Sequence, residues 1–184
     1  TLRNGWRKVA KILKGGKERY DSSLSAIRAY EGCDVNLIFH DAVRPLVSQR
    51  IVDEVVEALE HYQAIDVAMP SADTIIEGEG DFIAQIPDRS RLRRGQTPQA
   101  FDLQTIRRAY DIALQDPQFR ATDDCGVVRR YLPDVPVYVV PGEESNMKLT
   151  YKEDTYLLDK YFQLRSISLA DLPLRQEDFS GRVA

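Results

Sequence analysis

Val35-Asn36-Leu37-Ile38-Phe39-His40-Asp41-Ala42-Val43-Arg44-Pro45 is an apolar run that ends in an acid, an arginine and a proline. Its β-branched and aromatic residues, with Gly32 behind them, predict a buried strand of the kind found in parallel sheets. Pro45 disfavours a helical Arg44, so the chain is expected to leave the strand as an extended loop. Ser48 then caps a helix, with Val47 and Val52 as its hydrophobic staple. Ile51, Val52, Val55, Val56, Leu59 and Tyr62 recur at helical spacing along 48–62. In open α/β sheets the loop at a strand's carboxyl end is where ligands bind. Asp41 and Arg44 stand on that loop, together with a backbone free to donate.

Toward the N-terminus, Val9 to Leu13 alternates weakly and predicts a strand running into Lys14-Gly15-Gly16-Lys17-Glu18-Arg19. Asp21 or Ser22 is placed to cap the next helix, which carries Leu24, Ile27 and Tyr30 on one side. A glycine turn opening into a helix N-terminus suits an anion, because free amides and the dipole face outward. A plain β-α turn has the same sequence.

Toward the C-terminus, Ala64 to Met69 predicts another buried strand, ended by Pro70. Asp73-Thr74-Ile75-Ile76, Glu77-Gly78-Glu79-Gly80 and Asp81-Phe82-Ile83-Ala84 predict a hairpin, an arm of the kind that serves dimerisation. Arg89, Arg91, Arg93 and Arg94 crowd together in an acidic chain. If that segment is extended, the first three point one way, as an anion-recognition face or simply a solvated one. Gly95 to Phe101 is expected to be a loop because of Pro98, before Asp102 caps a helix striped by Ile106, Ala109, Tyr110, Ala113 and Leu114. Thr122-Asp123-Asp124 opens a further helix with its acids as caps rather than metal ligands. Val135 to Val140 is a strand that Pro136 confines to an edge or a strand start. Thr150-Tyr151-Lys152-Glu153 fits a capping box for a helix through Leu157, Leu158 and Phe162, leaving Lys148 on the loop before it.

The chain has 184 residues, 43% hydrophobic and 29% charged, with a formal net charge of −4. That is one domain with a sizeable core, too acidic for a general nucleic-acid binder. No apolar run is long enough to span a membrane, so neither a membrane nor a nucleic acid is an expected partner. Cys33 and Cys125 are isolated, which favours reduced thiols and a cytoplasmic location.

In order along the chain, Gly15-Gly16-Lys17-Glu18-Arg19 with Ser22, His40 to Pro45, Asp73-Thr74, Thr97 to Phe101, Thr122-Asp123-Asp124 and Asn146 to Thr150 resemble the motifs of the polyol-phosphate cytidylyltransferases. That family includes the 2-C-methyl-D-erythritol 4-phosphate and ribitol-5-phosphate enzymes. The resemblance covers roughly 9–163. It implies a Rossmann-like α/β nucleotidyltransferase with a mainly parallel sheet and a β-arm, 71–94, exchanged in a homodimer. It implies transfer of a cytidylyl group from CTP to a polyol phosphate, with Mg²⁺ bound mainly through the CTP phosphates and no dedicated protein metal site. Residue by residue, Gly16, Ser22 and Ala42 would hold the nucleoside, and Asp41 would lie near substrate hydroxyls. Arg44 and Thr97 would bind the polyol phosphate, with Thr74 and Arg89 reaching the substrate of a neighbouring subunit. Lys148 would face the α-phosphate, so that Lys148, Asp41 and Arg44 form the expected catalytic set.

Gly95-Gln96-Thr97-Pro98-Gln99 resembles the ribitol-phosphate branch, pointing to D-ribitol 5-phosphate as acceptor and CDP-ribitol for capsule or teichoic acid as product. The alternatives are methylerythritol phosphate as acceptor, or a non-catalytic nucleotide-binding and dimerisation module. The resemblance places a glycine-rich triphosphate loop upstream of the matched motifs, and these residues do not contain it. The chain is accordingly expected to be a piece, inactive or nearly so by itself. It comprises a cytidylyltransferase domain at 1–165, a linker at 166–178, and at 179–184 the opening of a short-chain dehydrogenase-like domain, as in a bifunctional reductase fusion.

Overall fold

A computed structural model describes residues 8–166. The linker expected over 166–178, Ser166 apart, and the Phe179-to-Ala184 segment lie outside the described residues. The elements in chain order are α1 (Arg19–Ala29), β1 (Asn36–Phe39), α2 (Gln49–Ala58), β2 (Ala64–Pro70), β3 (Glu77–Glu79), β4 (Phe82–Gln85), β5 (Arg93–Asp102), α3 (Leu103–Ala113), α4 (Asp124–Tyr131), β6 (Tyr138–Pro141) and α5 (Asp154–Ser166).

The sheet order is β1-β5-β2-β6, and β3-β4 form a separate hairpin. β1, β2 and β6 point the same way, so the sheet is mainly parallel in strand direction. β5 runs against them, paired antiparallel to β1 and β2. Because side chains alternate across a strand, neighbours such as Ala64 and Ile65, or Phe101 and Ala100, feed cores on opposite faces. One core holds Ile51, Val55 and Ala58 of α2 against Ile65, Val67, Ala100 and Val140. The other packs α1, α3 and α4 on Leu37, Ala64 and Phe101. Burying each large aliphatic side chain contributes about 1.5–3 kcal/mol, so a charge at the fully buried Val55 would undo one face.

Several sequence expectations are corrected. Val9 to Leu13 forms no strand and is exposed; it finds no ladder partner among the described residues. Among the described residues β1 is an edge strand, with Leu37 buried and Ile38 41% exposed, rather than one covered on both faces. Glu18 caps α1 in place of Asp21 or Ser22; Asp21 instead closes a reciprocal capping box by accepting from the Glu18 amide at 3.0 Å. The hairpin sits later than expected, its strands flanking Gly80, whose φ of 58° suits glycine at the turn. The arginine run does not extend along one side, because Arg89–Arg91 coil into a 3-10 helix capped by Asp88. At α5 the Asp154 carboxylate accepts from the Thr150 and Tyr151 amides at 2.7 Å, replacing the predicted capping box.

The largest correction concerns Pro98. It lies inside β5, the longest strand of the sheet, not in a loop. The β2 ladder jumps there from Ile65↔Ala100 to Val67↔Gln96, and the β1 ladder ends at Phe39↔Gln99. The proline's missing N–H therefore falls in a gap of both ladders. The Thr97-Pro98 peptide is cis.

Candidate active site

After β1 the chain does not run extended but turns tightly, with the Arg44 amide bonded to the Asp41 carbonyl at 2.9 Å. The His40 ring holds this turn. Its Nε2 lies 2.9 Å from the Arg44 carbonyl and its Nδ1 lies 2.9 Å from Thr97 Oγ1. A carbonyl only accepts, so Nε2 carries a proton, and in the neutral ring Nδ1 accepts from the threonine hydroxyl. That hydroxyl accepts in turn from the Asp41 amide at 3.1 Å. Thr97 thus lines the site while its hydroxyl is used in fixing Asp41.

The loop from Gly142 to Thr150 docks on this turn. Leu149 donates its amide to the Val43 carbonyl at 2.8 Å. Arg44 donates through Nη1 to the Asn146 carbonyl at 2.8 Å. Lys148 Nζ stands 3.4 Å from Asp41 Oδ2, and Arg44 Nε stands 3.5 Å from the same oxygen. One carboxylate therefore holds two cations. Burial pulls the Arg44 guanidinium below its ordinary value, and Asp41 opposes that pull.

Two cavities meet at Asp41. One, of about 160 Å³, is lined by Arg44, Thr97, Gln99, Asp123 and Lys148 together with Asp41 and Arg19. The other, of about 370 Å³, has Ser22, Ala42 and His40 on its walls, again with Asp41 and Arg19. The expected catalytic set and Thr97 therefore share one cavity, and two of the three expected nucleoside contacts line its neighbour. Gly16, Thr74 and Arg89 line neither. A Cβ at Gly16 would collide with the Asp21 side chain, so glycine serves a close approach there. Arg89 donates to the Ala72 carbonyl at 3.1 Å, bracing the base of the arm.

Residues without an assigned role in the sequence reading complete the site. Arg19, on the wall between the cavities, donates to Asp124 at 2.8 Å, and Tyr110 donates to the same buried carboxylate at 2.6 Å. Burial works against the Arg19 charge, yet Asp124 lifts its pKa above the ordinary value. Burial and the adjoining Asp124 push the Tyr110 hydroxyl far up, so it stays protonated. Gln99 donates to both Asp66 and Asp123 at 2.9 Å and accepts from the Asp124 amide, tying β5 to β2 and α4. Residues 97 and 99 share a strand face, but that signal was hidden by the reading of Pro98 as loop.

The sheet is Rossmann-like, and the loops at its carboxyl ends, where ligands bind in open α/β sheets, gather cations beside two adjoining cavities. Over residues 2–164 the chain matches the family described as IspD: 2-C-methyl-D-erythritol 4-phosphate cytidylyltransferase, and it belongs to that family. It is 51% identical over 154 residues to the 2-C-methyl-D-erythritol 4-phosphate cytidylyltransferase of Thermobifida fusca, covering 80% of this chain and 62% of that protein. It is 47% identical over 163 residues to the bifunctional ribulose 5-phosphate reductase/CDP-ribitol pyrophosphorylase Bcs1 of Haemophilus influenzae, covering 86% of this chain and 34% of that one. The chain thus spans less than two thirds of the length of these relatives. Among solved structures, the 4-diphosphocytidyl-2C-methyl-D-erythritol synthase of Anaerococcus prevotii superposes with a TM-score of 0.74 at 32% identity, covering 81% of this chain and 66% of that one. The 2-C-methyl-D-erythritol 4-phosphate cytidylyltransferase of Thermus thermophilus gives 0.71 at 29% identity, covering 86% and 76%.

Proposed function

We propose that this chain carries the acceptor and nucleoside walls of a cytidylyltransferase that joins CTP to a polyol phosphate. The observation that carries the reading is Asp41, set between Arg44 and Lys148 where the two cavities meet. An oxygen of the acceptor's phosphate attacks the α-phosphorus of CTP, and the bond from that phosphorus to pyrophosphate breaks. The products are a CDP-polyol and pyrophosphate. A phosphate monoester is already anionic at neutral pH, so no general base is required. What the protein must supply is alignment and positive charge against the charge developing on the α-phosphate. Lys148 and Arg44 supply the charge, and Asp41 orients both while facing substrate hydroxyls.

Mg²⁺ binds proteins through one or two carboxylates plus substrate phosphates and keeps much of its water. Both oxygens of Asp123 are taken, by the Gly126 amide and by Gln99, and Asp41 faces two cations. The ion would therefore be held mainly by the CTP phosphates, with Asp41 as the nearest carboxylate, and would neutralise the triphosphate. Thr74 and Arg89, which line neither cavity of their own chain, suit delivery to a second copy by the arm, whose Phe82 and Ile83 are 81% and 58% exposed.

For the acceptor, the Gly95-to-Gln99 stretch favours D-ribitol 5-phosphate, as does the similarity to the CDP-ribitol pyrophosphorylase. The second reading, methylerythritol phosphate, is favoured by the names of the other relatives. The intact protein is assayed with CTP, Mg²⁺ and each acceptor, reading pyrophosphate release and product mass. Preference for ribitol phosphate upholds the first reading and preference for methylerythritol phosphate the second. CTP binding without pyrophosphate release from either acceptor leaves a nucleotide-binding module and overturns both.

A further inference from the structure

Three parts of the site converge on Asn146, a fully buried residue that lines neither cavity. Its Nδ2 donates to the Thr97 carbonyl at 2.8 Å and to Gln96 Oε1 at 3.2 Å. Its carbonyl accepts from Arg44. Gln96 extends the clamp, donating to the Glu143 carbonyl at 2.8 Å and accepting from the Glu143 amide at 3.2 Å. Two residues beyond Asn146, Lys148 meets Asp41.

The segment from Gly142 to Tyr151 is neither helix nor strand. No ladder sets its position: backbone bonds fix its ends, from the Gly142 amide to the Ala68 carbonyl at 3.0 Å and from the Leu149 amide to the Val43 carbonyl at 2.8 Å, and side-chain bonds hold the stretch between. Asn146 Oδ1 has no hydrogen-bond partner among the described residues, and neither does Arg44 Nε, beyond Asp41 at 3.5 Å. A buried amide with an unpaired oxygen is costly, and an apolar residue of similar size would avoid that cost. The carboxamide is explained by what it holds rather than by the burial it provides.

We propose that Asn146 is the positioning residue of this site: it fixes the Lys148 loop to Thr97 and to Arg44, so that both cations face the reacting phosphates at a set separation. The proposal rests on the cytidylyl-transfer reading. A lysine on a flexible stem delivers its charge only as accurately as its backbone is placed, and a displacement near 1 Å costs on the order of 100-fold in rate.

Asn146→Asp keeps the shape and removes the Nδ2 donor. It is made in the intact protein, alone and combined with Lys148→Ala, and kcat, KM for CTP and the melting temperature are measured. The expected result is a kcat about 100-fold lower with KM for CTP nearly unchanged. In the Lys148→Ala background the same substitution should cost no more than about threefold, because Lys148 is gone and Arg44 bonds to the Asn146 backbone carbonyl, which the substitution keeps. A residue that only supports the fold costs the same factor in both backgrounds, and equal losses overturn the proposal. Asn146→Ser is the second variant should the aspartate misfold, and unchanged turnover in either folded variant also overturns it. If the unaltered protein transfers cytidylyl groups while the cycle is additive, only the positioning role fails. If it transfers none, the functional reading fails and takes this role with it.

Discussion

Asp41 Oδ2 stands 3.4 Å from Lys148 Nζ, joining a turn after the first strand to a loop near the end of the described chain. The lysine side chain is about half exposed, so the contact adds little to stability while placing a cation at the mouth of a cavity. Lys148→Ala is therefore expected to lower kcat by about 100-fold or more, the scale of losing one transition-state donor. The melting temperature should hardly move. Pyrophosphate release and a thermal melt measure the two, and near-normal turnover removes Lys148 from the mechanism.

Asp41 is different, because Arg44 depends on it. The Arg44 side chain is only 11% exposed. Asp41→Asn leaves that guanidinium without its counter-charge and should cost about 1–3 kcal/mol, in addition to reducing turnover. Urea unfolding monitors the stability change; an unshifted midpoint would show that the Asn146 carbonyl alone suffices for Arg44.

Tyr110 and Arg19 share the buried Asp124 carboxylate. Tyr110→Phe removes a hydrogen bond to a charged group and should destabilise by about 1.5–3 kcal/mol. Because Arg19 stays on Asp124, KM for CTP is expected to change little. A large rise in KM with no loss of stability would place Tyr110 in binding rather than in the core.

Asp66 carries a pH signature. Burial raises its pKa above the ordinary carboxylate value, Asp123 adding to the shift against the Gln99 hydrogen bond. Between the unfolded and the raised folded pKa, the folded state holds a proton that the unfolded state has released. Stability is thus greatest below the unfolded pKa of about 3.9 and declines as pH climbs through the raised folded value. Asp66→Asn should stabilise the protein more at pH 7 than at pH 4, where other carboxylates titrate in both proteins alike. Melting temperatures of the two proteins compared at both pH values test this; a gain independent of pH contradicts it.

The arm exposes Phe82 and Ile83 beside Ile76 and Ile86. If it pairs two copies, Phe82→Asp with Ile83→Asp should yield monomers in sedimentation while far-UV circular dichroism stays unchanged. A dimer that survives the double substitution places the interface elsewhere.

The helices at Ser48 and Asp102, the strand at Ala64, and the family itself were legible in the sequence, because they rest on local signals. A capping hydroxyl, an apolar repeat and a proline stop act within a few residues. Asp41, Arg44, Thr97 and Lys148 were legible as candidates for the same reason: each sits in a short motif. What local signals could not show was decided by neighbours. Pro98 lies in a strand only because β1 and β2 both leave a gap there, and Val9 to Leu13 stays out of one because no ladder among the described residues receives it. Arg19, Gln99 and Asn146 owe their roles to partners far away along the chain, Asp124, Asp66 and Thr97 among them. Sequence alone thus named the chemical groups and the elements that carry them. Their separations, and therefore the sharing of one carboxylate by two cations, were set by packing across the sheet, which no single stretch of chain encodes.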